Sequence, residues 1–426
     1  MLLGKGISNG PVVGLLASIA VFALNADYVF ADDAFFISVE KLSAPVAQGA
    51  REPSLSTMND GSVLMSWTEP KEDGFALKTA ISDGAGWSEA QTVVERDDLF
   101  VNWADFPSAV ALADGTIVAH WLRANGDDDY FYDINIALSR DEGLTWSERV
   151  IPHEDRSQRQ HGFVTLLPAE DGKFAVIWLD GRSYDTYAPQ DVVKNAMQLR
   201  IREISADGSM GQDTLLDART CTCCQTSAVV TESGDVLVVY RDRSLGEIRD
   251  ISIVRQTQQG WSTPQPVSED GWNIEGCPVN GPAIDATYRR SVVAWFTAAN
   301  DIPKVKVAFS SDDGVTFGEA LEIDSNTLSG RVDVIQLNDG SALITWVEQT
   351  AKGETILICA TDPKTGCTHP IVLAVSPAGR TVGFPRMTLG DQGVYVAWTE
   401  PLQSTASPRK GGTTIRTILA RIGDVE

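Results

Sequence analysis

The stretch NDGSVLMSW, residues 59–67, joins an Asp-Gly turn to an alternating apolar strand that ends in tryptophan. Asp-Gly accepts positive φ, so the turn reads as the tip of a hairpin. The phrase returns as ADGTIVAHW (113–121), EDGKFAVIW (170–178), ESGDVLVVY (232–240), YRRSVVAW (288–295), NDGSALITW (338–346) and GDQGVYVAW (390–398). The closing aromatics at 67, 121, 178, 240, 295, 346 and 398 lie 51–62 residues apart, the length of one four-stranded propeller blade with long hairpins. An apolar strand precedes the turn, as in EPSLST or GFVTLLP, and another follows, as in INIALS or VKVAFS. Helical periodicity is almost absent. The pattern predicts an all-β fold, a β-propeller of four-stranded blades, with seven blades favoured over six.

Closure and export come from the N-terminus. FFISVEKLSAPV (35–46) has the character of the outer strands WSEAQTVV and FGEALEID, whereas the last repeat ends at TTIRTILARIG. The N-terminal strand is therefore expected to complete the last blade and remove its open edge. Before it, Lys5, the apolar run Pro11 to Leu24 and the small residues near Ala31 form the pattern of a cleaved signal peptide, residues 1–31, leaving 32–426 as one domain. The run is shorter than the roughly 20 residues needed to span a bilayer, so no stable membrane span is expected after cleavage. The expected location is the periplasm or the medium. The formal charge is -24, from 58 acidic and 34 basic residues. Such a field repels nucleic acid and points to a small-molecule or glycan ligand instead.

Two turns repeat a second pattern. Ser139-Arg-Asp141-Glu-Gly143-Leu-Thr145-Trp146 and Ser310-Ser-Asp312-Asp-Gly314-Val-Thr316-Phe317 both read S-x-D-x-G-x-T-aromatic, with degenerate forms at SDGAGW (82–87) and QTQQGW (256–261). Ser and Asp side chains bond local backbone, Gly takes positive φ, and the aromatic plugs the gap between sheets. With these boxes the chain resembles the sialidase superfamily of Asp-box (BNR) propellers over nearly its whole mature length. That resemblance implies a carbohydrate-directed protein, an exo-glycosidase on acidic sugars if it is an enzyme.

In a propeller the first strand of each blade lines the axis, so residues that open those strands are expected to meet at one mouth. Here they are Arg51, Asp105, His161, Cys223 with Cys224, Cys277, Arg331 with Asp333, and Arg386. The resemblance implies an arginine triad that grips a sugar carboxylate. Arg51 in REPSLS, Arg243 (or Arg241) in YRDRS, and Arg331 or Arg386 stand at suitable positions. It also implies an acid/base aspartate, for which Asp73 in EPKEDG is the first candidate and Asp105 the second. The tyrosine nucleophile and its glutamate partner have no evident counterpart, since Gln225-Thr226 occupy the glutamate's place.

The heptapeptide CTCCQTS, residues 221–227, opens the fourth blade's inner strand beside GCPVNGP (276–282). Two readings stand. In an oxidising compartment Cys223 or Cys224 can bridge to Cys277, and Cys359 to Cys367 across a hairpin. Alternatively Cys221, Cys223, Cys224, Cys277 and His161 offer sulfur and imidazole ligands for copper or zinc, and this non-hydrolytic metal protein is the rival to the glycosidase. His120, His153 and His369 have no such company, and the acidic run GDDDYFYD (126–133) reads as a solvated hairpin tip.

Overall fold

The computed structural model describes residues 28–29, 35–185, 195–324, 328–350, 353–376, 382–402 and 412–423. The expected signal peptide lies outside these residues apart from Tyr28–Val29, which pair with Val39 and Ser38. Among the described residues the strands form seven antiparallel sheets, each following the last along the chain. They are the blades of a propeller, numbered here 1 to 7. Their inner strands are Arg51–Thr57, Ser108–Ala111, His161–Pro168, Ser227–Val230, Ala283–Thr287, Leu328–Gln336 and Arg386–Gly390. Blade 2 has three full strands, its fourth reduced to a bridge between Ile136 and Val150.

The ring closes as expected. Phe36–Leu42 adds antiparallel to Thr413–Ile422, the third strand of blade 7, and becomes that blade's outer strand. No edge remains between first and last blades.

A sheet buries its two faces only against its neighbours, so a propeller stores its apolar surface between blades. Seven apolar clusters occupy the seven gaps. Each repeat aromatic sits in a different one: Trp67 between blades 7 and 1, Trp121 between 1 and 2, and so on to Trp398 between 6 and 7. Trp67, Trp178, Trp295 and Trp346 are fully buried. Their indole N–H groups need acceptors there, and Trp67 donates to Glu69 at 2.9 Å while Trp178 donates to Asp180 at 2.8 Å.

Both S-x-D-x-G-x-T turns have one geometry. Asp141 accepts from Ser139 Oγ at 2.8 Å, Thr145 N–H at 2.8 Å and Thr145 Oγ1 at 2.6 Å, and Gly143 N–H donates to Ser139 Oγ at 2.9 Å with its φ at 87°. Asp312 repeats these bonds at 2.8, 2.9 and 2.6 Å. Trp146 and Phe317 pack against the clusters between blades 1 and 2 and between 4 and 5. The aspartates are consumed by their own turns.

Inner strands are not regular. Register shifts lie between Arg51 and Ser54, Gly162 and Thr165, and Gly330 and Asp333, with Glu52, Phe163 and Arg331 at φ of 59°, 53° and 57°. These bulges re-aim the side chains at the start of blades 1, 3 and 6.

Candidate functional site

All seven inner strands line an axial cavity of about 470 Å³, with Ser54, Ser108, Thr165, Ser227, Asp285, Asp333 and Arg386 on its wall. Its carboxylates lace neighbouring blades. Asp105 accepts Phe163 N–H at 2.7 Å, Asp285 accepts Gln336 N–H at 2.8 Å, and Asp333 accepts Met387 N–H at 2.8 Å.

One mouth of this cavity is covered by the connection from blade 1 to blade 2. Leu99 and Phe100 run beside blade 2, bonded to Arg123 and Leu122, and the chain then crosses the axis. Trp103 stacks on Phe384 with centroids 5.7 Å apart, and Phe106 meets the same ring at 5.7 Å. The Arg331 guanidinium lies over Trp103, that of Arg386 over Phe106, and Gln225 of blade 4 donates to the Ala104 carbonyl. The plug thus touches blades 3, 4, 6 and 7.

Beside the plug is a second cavity of about 560 Å³, lined by Phe100, Asn102, Trp103, Tyr130, Tyr132 and Gln160 together with Asp105, Phe163, Tyr184 and the Cys223–Cys277 pair. At its floor Tyr132 O–H donates to Asp105 at 2.7 Å, and Gln160 donates to the Tyr132 oxygen at 2.7 Å. Asp105 is 2% exposed, and burial pushes its pKa up to about 7 against the bonds from Tyr132 and Phe163. Gly162 is required here, because a Cβ would lie 2.1 Å from the Asp105 carboxylate. Across the mouth Glu52, bonded by Thr68 Oγ1 at 3.0 Å, is raised to about 7, first by burial and also by the negative charge of Asp105. Glu52, between Arg51 and Pro53, lines neither cavity but is a buried carboxyl close enough to Asp105 to feel its charge, and nothing in the sequence singled it out.

The arginines are mostly engaged elsewhere. Arg331 pairs with Glu354 and donates to the Gly383 carbonyl at 3.2 Å. Arg243 is held by Glu247 through contacts of 2.7–3.0 Å, and Arg241 spends its guanidinium on three backbone carbonyls. Arg386 lines the axial cavity but pairs with Asp333 at 3.4 Å. Arg51 bonds the Gly49 carbonyl and lies over Phe75. Arg331 and Arg386 approach each other through the plug's aromatics; Arg243 lies in another hairpin. Asp73 is exposed at the tip between the second and third strands of blade 1.

His161 faces away from the axis. It is fully buried with Asp155 at 3.1 Å, Asp133 at 3.4 Å and Asp180 at 3.9 Å, and its ring stacks on His153, centroids 3.9 Å apart and 2° from parallel. Burial opposes its charge, but the carboxylates of Asp133, Asp180 and Asp155 hold its pKa above the usual value. His153, buried and next to that charge, is pushed down to about 4. Asp133 Oδ1 stands 3.4–3.5 Å from one nitrogen of each ring, a spacing that invites a metal. The parallel rings aim their lone pairs along separate planes, however, so an ion between them would sit off both. The surrounding carboxylates favour the charged form of His161.

The cysteines divide. Cys223 bonds Cys277 with Cα atoms 6.1 Å apart, and Cys359 bonds Cys367 at 6.0 Å. Cys221 and Cys224 are buried and unbridged, with sulfurs 2.7 Å apart. Burial opposes ionisation of Cys221, yet the Cys224 thiol and the Arg249 and Arg241 guanidiniums hold its pKa down to about 6. Cys224 is raised well above the ordinary range. Of the five residues expected as metal ligands, two are therefore joined to each other and a third has a guanidinium 3.7 Å away. His161 belongs to the separate cluster described above.

No protein-family model matches the sequence, and no curated protein matches it. By shape the chain is similar to a protein of unknown function from Dyadobacter fermentans DSM 18053, at 14% identity and a TM-score of 0.51 over 91% of this chain and 99% of that one. It is similar also to the Hadza microbial sialidase Hz136, at 16% identity and 0.45 over 75% and 66%, and to the polysaccharide lyase Uly1, at 11% and 0.49 over 86% and 89%. At these identities the likeness is one of fold.

Among the described residues no helix is long and apolar enough to cross a membrane.

Proposed function

We propose that the protein is carbohydrate-directed, with the aromatic cavity beside the plug as its ligand site and Asp105 with Tyr132 as its proton-handling pair. The observation that carries the reading is the lining. Tyr130, exposed at the rim, offers a ring face for the C–H side of a sugar, Trp103 and the stacked Phe100–Tyr132 pair give the cavity an aromatic wall, and Asn102 and Gln160 offer groups for the hydroxyls. Asp105, near neutrality in pKa, can give or accept a proton at the floor. Burial and the neighbouring Asp105 carboxylate hold the Tyr132 phenol well above its ordinary pKa, so the pair is read as a proton donor and relay, not as a nucleophile. No basic side chain is among the described lining residues, which favours an uncharged sugar ring over the acidic one implied by the family resemblance.

Calorimetric titration with neutral and sialylated oligosaccharides, run beside a panel of chromogenic glycosides, tests this. Trp103→Ala is expected to weaken glycan binding at least ~10-fold. Asp105→Asn is expected to abolish turnover while leaving affinity within a few-fold. Failure of every glycan to bind, or binding indifferent to Trp103→Ala, removes the proposal. Export is proposed with it, supported by the two disulfides. N-terminal sequencing of the mature protein should begin near Asp32, and an intact Met1 would refute cleavage.

A further inference from the structure

The CTCC stretch has no part in the proposed sugar site beyond lending Thr222 and Cys223 to its wall. Its four neighbouring sulfurs lie at graded depths: Cys277 is exposed, Cys223 half-buried, Cys221 and Cys224 buried. Cys221 Sγ is 2.7 Å from Cys224 Sγ and 3.8 Å from Cys223 Sγ, so a free thiol touches a sulfur of a formed disulfide. Arg249, which donates to Cys221 Sγ at 3.7 Å, has its other arm fixed on Glu247 at 2.8 Å. A guanidinium held beside sulfur favours a thiolate and repels a metal dication.

From this geometry we propose that residues 221–224 with Cys277 form an internal thiol–disulfide relay, which moves one disulfide between the cavity wall and the buried pair.

The Cys221 thiolate attacks Cys223 Sγ. The Cys221–Cys223 bond forms, the Cys223–Cys277 bond breaks, and its electron pair leaves on Cys277. Cys224 then loses its proton to the Cys277 thiolate through solvent and attacks Cys221 Sγ. The Cys221–Cys224 bond forms and Cys223 leaves as thiolate. One disulfide and two thiols stand on each side, so no oxidant or reductant is consumed. The outcome differs in place: the dithiol is buried before exchange and lines the sugar cavity after it. A partner with an accessible disulfide could then be reduced by Cys277 and Cys223.

Thiol trapping on the folded full chain, with N-ethylmaleimide and no added reductant, followed by peptide mapping, tests the relay. The three clustered cysteines fall on the tryptic peptide 220–241, and Cys277 on another. Labelling should accumulate at Cys277 with time, while peptide 220–241 loses its cross-link to Cys277 and gains an internal one. Cys221→Ser should stop Cys277 labelling, and Cys224→Ser should slow it at least ~10-fold, because the second step locks the exchange. The wild-type time course needs no variant and stands even where a substitution misfolds. Cys277 that stays cross-linked and unlabelled while Cys221 and Cys224 appear as thiols on unfolding would overturn the relay. So would four sulfurs that take no label because both pairs are oxidised, or near-stoichiometric metal that protects the thiols and leaves with Cys221→Ser.

Discussion

Glu52 provides a sharp test of the mouth's electrostatics. Its carboxyl is 6% exposed and raised from 4.5 to about 7 by burial, opposed by the Thr68 bond and Arg51. A raised acid stabilises the fold while protonated, so the contribution is complete below pH ~4.5 and is lost as pH rises through ~7. At 1.36 kcal/mol per unit, the whole effect is about 3 kcal/mol. Glu52→Gln keeps an acceptor for Thr68 and cannot ionise. Urea unfolding of both proteins from pH 4.5 to 8.5 should therefore give equal stability at the acid end. At the basic end the variant should be more stable by about 3 kcal/mol, with most of the change between pH ~4.5 and ~7. A difference that stays flat across the range would show that Glu52 is solvated or already ionised, and with it the picture of a dry, acid-bearing mouth would fail.

Two further outcomes probe the ring. Trp178→Ala removes a fully buried indole between blades 2 and 3 and leaves Asp180 without that donor, so unfolding should cost about 3–5 kcal/mol less, read by urea denaturation. A chain that starts after Leu42 should lose the outer strand of blade 7, expose the Thr413–Ile422 edge and associate, read as a concentration-dependent mass on gel filtration. A clean monomer would argue that closure does not depend on that strand.

The ring was legible because its signal is periodic: each repeat aromatic fills one inter-blade gap, and four of the seven turns that precede it carry Asp-Gly. Closure was legible too, since residues 35–46 carry a strand pattern without a blade of their own. The site was less so. Strand openings place residues at the axis only if the pleat is regular, and a bulge of one residue swaps the two faces. The shift between Gly162 and Thr165 turns Phe163 to the cavity while His161 lies with Asp133, Asp155 and Asp180. That between Arg51 and Ser54 accompanies Glu52, which takes a positive φ and is buried although nothing in the sequence pointed to it. The arginines carry a further lesson. Glu247 follows Arg243 by four residues in one loop, and Glu354 lies on the third strand of Arg331's own blade, so these arginines are spent locally rather than at the axis. The plug was invisible because its contacts reach across four other blades.

The bond from Thr417 to the Leu42 carbonyl joins residues 375 apart in the chain. A ribosome delivers Phe36–Leu42 before the blades and its hydrogen-bonding partner after all seven inner strands. While the blades emerge, and through any translocation that threads the chain from its N-terminus, this ribbon has nowhere to dock. The ring therefore stays an open arc with two bare ends until Thr413–Ile422 arrives, a state that a holding chaperone would recognise.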